Sequence, residues 1–97
     1  MYLPAVSLRT DPAVEHAALP GGGSVTVWVG VPEDSYVGTA LTTVDVQLHE
    51  GNATLASVST GLAPHDDDEG RALARRVTAA LEAGEIGLSA GDLETLI

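Results

Sequence analysis

The chain has 97 residues, with 14 Asp and Glu against 4 Arg and no Lys, and a formal net charge of −10. The length sets a limit of one domain, and so few cations exclude a phosphate-neutralising nucleic-acid surface. Without Lys there is no P-loop, and without Cys there is neither a disulfide framework nor a thiolate metal site.

The apolar residues are small. There are 14 Ala, 12 Leu and 11 Val, but no Phe, one Trp and two Tyr. A chain of roughly 100 residues buries only about 60–65% of its unfolded surface. Modest monomer stability is expected, and self-association would add to it. No run approaches the ~20 apolar residues of a membrane span. Residues Met1 to Leu8 lack the basic and apolar regions of a signal peptide. The expectation is a cytoplasmic protein. Arg in place of Lys, with much Ala, Gly and Val, suits a GC-rich bacterial genome or a salt-adapted source. The sequon Asn52-Ala53-Thr54 is then coincidental.

In chain order, Tyr2–Arg9 reads as a short irregular strand broken by Pro4, a candidate fourth, N-terminal edge strand. Asp11-Pro12 reads as an N-cap and first helical position. Ala13, Val14, Ala17 and Ala18 then give a helix of at most about two turns, ended by Pro20 and three glycines. Gly21-Gly22-Gly23-Ser24 reads as a turn; a phosphate-cradling loop would have to open a helix, and this run opens a strand. Val25, Val27, Val29 and Val31 alternate with Thr26, Trp28 and Gly30, the period of a half-buried strand. Pro32–Ser35 is turn chemistry, and Tyr36–His49 reads as a long second strand. A four-residue loop sets Val31 opposite Tyr36, Val29 opposite Gly38, Val27 opposite Ala40 and Val25 opposite Thr42. Gly51-Asn52 suits a type II′ turn into a third strand, Asn52–Thr60. The core face then continues through Val44, Val46 and Leu48 to Ala53 and Leu55.

The helix signal is clearest over residues 66–83. Asp66 and Glu69 form a capping-box-like pair. Leu73, Val77, Ala80 and Leu81 make its apolar stripe, and Gly84 stops it. A last short helix starts at Ser89, with Leu93, Leu96 and Ile97 as its buried side. The fold class is α+β: a single domain over 1–97, with an N-terminal segment (1–23), a three-stranded antiparallel meander (24–61) and a helical C-terminal part (65–97).

Four groups of residues are candidate sites. His65, Asp66, Asp67 and Asp68 resemble a hard-cation site in residue type. Consecutive helical positions fan outward, however, and acids in a first turn complement the helix dipole, so no metal is expected. Arg71, Arg75 and Arg76 lie on the polar side of the main helix. They are a candidate anion or partner clamp, or else pair locally with Asp67, Asp68 and Glu82. His16, His49 and His65 fall in separate elements, and no nucleophile motif is present; no catalytic residues and no cofactor are expected. The fourth group is the second sheet face, read as Trp28, Val37, Leu41, Ala56 and Val58 among threonines. It is too apolar for a wholly solvated face, and contiguous apolar patches mark contact sites.

The order of short helix, three-strand meander and long helix resembles the double-stranded-RNA-binding domain fold over residues 11–83. That family binds phosphates with a Lys-rich N-terminus of its last helix. The matching positions here are Asp66, Asp67, Asp68 and Glu69, so the resemblance implies a similar layout without RNA binding. The leading expectation is a small non-enzymatic interaction protein, a homodimer or subunit working through the Trp28 face. The alternatives are an acidic inhibitor, antitoxin or immunity-type protein with a basic partner, and a metal- or anion-dependent enzyme.

Overall fold

A computed structural model describes Leu8, residues 11–32 and residues 44–97. The fold is α+β. Four strands, β1 (Ala13–Ala18), β2 (Ser24–Gly30), β3 (Asp45–Glu50) and β4 (Ala53–Ser59), are followed by helices α1 (Asp67–Glu82) and α2 (Ala90–Glu94). The sheet is antiparallel throughout, in the order β1-β2-β3-β4. α1 packs over β1 and β2, and α2 lies against β4.

The segment expected as a short helix is strand β1, an edge strand that brings the described sheet to four strands. Two turns of helix would not be stable alone. As a strand, the segment pairs along its whole length with β2, from Ala13 opposite Val29 to Ala18 opposite Ser24. Ala13 and Ala17 are buried, and side chains this small allow α1 to approach closely. The glycine run makes the hairpin turn: Gly22 and Gly23 have φ of +103° and +82°, and Gly23 O accepts from Leu19 N–H at 3.0 Å. A strand at 13–18 stands where the layout likened to the double-stranded-RNA-binding domain requires its first helix. The irregular strand expected at 2–9 and the turn at 32–35 fall largely outside the described residues.

The expected β2–β3 register is also corrected. Val29 lies opposite Val46, Val27 opposite Leu48 and Trp28 opposite Gln47. The displacement from the expected pairing is eight residues. An even slip preserves the facing of every side chain, so Val25, Val27, Val29, Val44, Val46 and Leu48 all reach the core. The expected pairing partners within 36–43 lie outside the described residues.

β4 departs by an odd step. Glu50 pairs with Ala53 and His49 with Thr54, but Leu48 pairs with Ala56. One extra residue, Leu55, is inserted as a bulge, and from there the facing inverts. Leu55 and Ala53 are exposed, while Ala56 and Val58 are buried. The tight turn is as expected: Gly51 has φ +61° and no described non-glycine residue has positive φ, the φ pattern of a type II′ turn.

α1 buries Leu73, Val77 and Leu81 as its stripe requires. Its C-terminus is a Schellman motif. Glu85 N–H donates to Ala80 O (2.9 Å) and Gly84 N–H to Leu81 O (3.1 Å), with Gly84 at φ +73°. Its N-cap is Asp66, but the expected capping box does not form: no side chain caps the first turn. Asp66 Oδ2 accepts instead from Ala63 N–H at 2.9 Å. Leu8 is fully buried and packs on Gly70, where an added Cβ would lie 2.7 Å from Leu8 Cδ1. Ser89 caps α2, its Oγ accepting from Asp92 N–H at 3.1 Å. Leu93 is buried and Leu96 partly so, but Ile97 is 48% exposed rather than buried. No described helix is long and apolar enough to cross a membrane.

Candidate functional site: the open face of the sheet

The helices lie on one side of the sheet. The other side is built from two cross-strand rows. One runs Val14, Trp28, Gln47, Ser57; the other runs His16, Thr26, His49, Thr54. Ala18, Ser24, Gly30, Asp45 and Ser59 complete the described face.

Trp28 is half-buried at its centre. Its indole lies along the strand over Gly30: a Cβ built on that glycine would be 2.8 Å from Trp28 Cζ2 and 2.8 Å from Pro12 Cβ. The bare backbone of Gly30 is therefore the floor on which the ring rests, with Pro12 beside it. His49 meets Trp28 edge-on, with ring centroids 6.4 Å apart and planes at 86°, a favourable aromatic geometry. His49 is fixed at both nitrogens, Nε2 to Gln47 Oε1 (2.8 Å) and Nδ1 to Thr54 Oγ1 (3.3 Å). His16 Nδ1 lies 3.3 Å from Thr26 Oγ1. Side-chain hydrogen bonds thus order the face.

The charge pattern is one-sided. Of the acids in the described residues, only Asp45 belongs to this face, at its end beside Gly30 and Ser59. The others lie on α1, α2 and the loops, or, as Glu15 of β1 and Glu50 of β3, on the helix-side parity of the sheet. Val14 is 45% exposed and continues the apolar surface outward from Trp28.

The expected interface residues divide. Trp28 is on the open face. Ala56 and Val58 are not; the bulge turns them into the core, each 9% exposed. Val37 and Leu41 lie outside the described residues. Val14, His16 and Gln47 belong to the face without being expected there, Val14 and His16 because their segment is a strand and not the expected helix. The signal for a strand was Pro12 and Pro20 at either end, as at an edge strand, with Ala13 and Ala17 on one parity and Val14 and His16 on the other.

The arginines have structural partners. Arg71 Nη2 pairs with Asp11 Oδ2 at 2.9 Å, tying the start of β1 to α1, rather than with Asp67 or Asp68. Arg76 Nη1 donates to Leu96 O at 3.2 Å, holding the C-terminal segment. Arg75 is exposed. The expected three-residue clamp is thus split between two local tasks. His65 Nε2 is 3.6 Å from Asp66 Oδ1 and its side chain is 83% exposed. No described group of three His, Asp or Glu is placed to hold a metal. A cleft of about 350 Å³ lies between Thr60–Leu62, α1 and Leu96–Ile97; its walls are mostly aliphatic, with Glu69 and Arg76 at the rim.

Comparisons with protein-family models, with curated proteins and with solved structures give no match to this chain.

Proposed function

We propose that this is a small non-enzymatic interaction protein whose contact surface is the open sheet face around Trp28, and that the partner on this face is a second copy of the chain. The observation that carries the reading is the charge asymmetry. A chain of net charge −10 repels its copies over most of its surface. Among the described residues the open face holds one acid, a central Trp and an exposed Val. Two copies stacked through it keep nearly all their carboxylates on the outer, helical sides. Trp is the residue type most enriched where interfaces concentrate their energy, and sheet-on-sheet stacking is an ordinary packing mode.

The test places acids on the face without disturbing the fold. Gln47→Glu is isosteric and keeps an acceptor for His49 Nε2. Val14→Glu changes a side chain already 45% exposed. Sedimentation velocity at low micromolar concentration should show the wild type as an oligomer and V14E/Q47E at a smaller mass, with unchanged far-UV circular dichroism. A wild-type mass for the variant would refute the face contact.

A further inference from the structure

The open face alone is small for a stable contact. Its strands are six or seven residues long. At ~4.8 Å between strands and ~3.3 Å per residue, four strands give a footprint of roughly 400 Å². A standard interface takes about 800 Å² from each partner. The surface that would double it is an edge of the same sheet with no paired strand among the described residues.

The two edges differ. β1 is guarded. Pro12 and Pro20 flank it, Glu15 lies within it, and its Ala18 N–H donates to Glu82 Oε2 at 3.1 Å. These are the devices by which natural sheets block strand addition. β4 has the sequence Ala-Thr-Leu-Ala-Ser-Val-Ser, with no charge and no proline, and among the described residues no strand pairs with its outer side. Among the described residues, two of the three exposed large apolar side chains lie on this side of the molecule. Leu55 is in β4 itself, 39% exposed, and Ile97, 48% exposed, lines the cleft at the exit of β4.

We propose that β4 is a docking edge for a second copy of this chain, joining two sheets into one eight-stranded antiparallel sheet with a continuous open face. A single face across the seam requires a two-fold axis perpendicular to the sheet, because only that axis keeps side-chain facing. Such an axis sets one residue opposite its own copy. With Ser57 in that place, Ala56 lies opposite Val58 of the partner subunit, and the buried row of each core continues across the seam. Leu55 then lies opposite Ser59 of the partner subunit, beside the mouth of the cleft where Ile97 is exposed. No charge is brought into the seam, which matters for two chains of net charge −10. This inference rests on the reading of the open face as the contact surface and completes it. The joined face has twice the footprint, and stacking two such faces about an in-plane two-fold closes a four-chain assembly of D2 symmetry.

Sedimentation separates the two contacts. The wild type is expected at the mass of four chains. V14E/Q47E, which blocks the face, is expected at two chains. Leu55→Lys and Leu55→Glu, made separately, are each expected below the mass of four chains; loss with either sign of charge marks a steric and desolvation effect at the edge rather than an ionic one. In V14E/Q47E, amide hydrogen exchange along residues 53–59 should slow as concentration rises, while β1 amides stay unchanged. A single-chain mass for V14E/Q47E overturns the edge pair. So do Leu55 variants that keep the wild-type mass, or β4 exchange independent of concentration. A wild-type mass in V14E/Q47E overturns the face contact instead, so the two readings fail separately.

Discussion

At the scale of single residues, the open face depends on a position with no side chain. Gly30 supports the Trp28 indole from below and touches Pro12 at the side. A methyl group there would enter the space of a rigid ring and of a proline at 2.8 Å each. Neither is a flexible chain end, so Trp28 must swing off the strand. Gly30→Ala should cost about 1–3 kcal/mol, as overpacking does. It should also change the near-UV circular dichroism and red-shift tryptophan emission as the indole moves into water. An unchanged melting temperature and spectrum would mean that the ring does not rest on Gly30. The sequence marks Trp28 as unusual and places it correctly on the second face. It does not show the role of Gly30, because contact between a ring and a residue two positions along depends on the rotamer, which composition and periodicity do not encode.

At the scale of elements, the parity of a register error decides its consequences. Between β2 and β3 the pairing differs from expectation by eight residues, yet every valine faces the core as expected. Between β3 and β4 one inserted residue, Leu55, turns Ala56 and Val58 from presumed interface to core. Alternation along a strand reports facing, whereas a bulge is a relation between two strands and is silent in either one. The bulge makes an unusual prediction. Deleting Leu55 removes the extra residue and leaves Leu48–Ala56 and Val46–Val58 in register, so the shortened chain should fold. Deleting Ser57 keeps the bulge but moves Val58 to the open face. It should cost the burial of that side chain, on the order of 1.5–3 kcal/mol, and more through the disrupted ladder. Thermal melts of the two deletion variants check this. Equal destabilisation would contradict the bulge. The helices were legible for a different reason: the stripe of α1, Gly84 and the Ser89 cap are local signals, read within one segment. β1 was not, since six residues with Ala at three positions lean intrinsically toward helix, and only pairing with β2 makes them a strand.

At the scale of the whole molecule, the charge of −10 proves to be a matter of placement. Among the described residues most acids lie on α1, α2 and the loops, with Glu15 and Glu50 on the helix side of the sheet, and Asp11 is used to hold Arg71. They leave one broad surface almost without carboxylates. Net charge alone pointed to a basic partner as readily as to none. The sheet's free side suggests a third use, in which the acids keep copies apart everywhere except at the intended contact. A second copy and a basic partner differ in their response to salt, since binding to a basic partner weakens as salt rises. At about 0.1 M the Debye length is ~10 Å. Added salt therefore screens the long-range repulsion between like-charged copies but does little to an acid-poor contact. The most direct test is the sedimentation mass of the wild-type chain at a fixed low micromolar concentration, in low and in high salt. The account predicts an oligomer that strengthens as salt rises. A single-chain mass at both salt concentrations would contradict it.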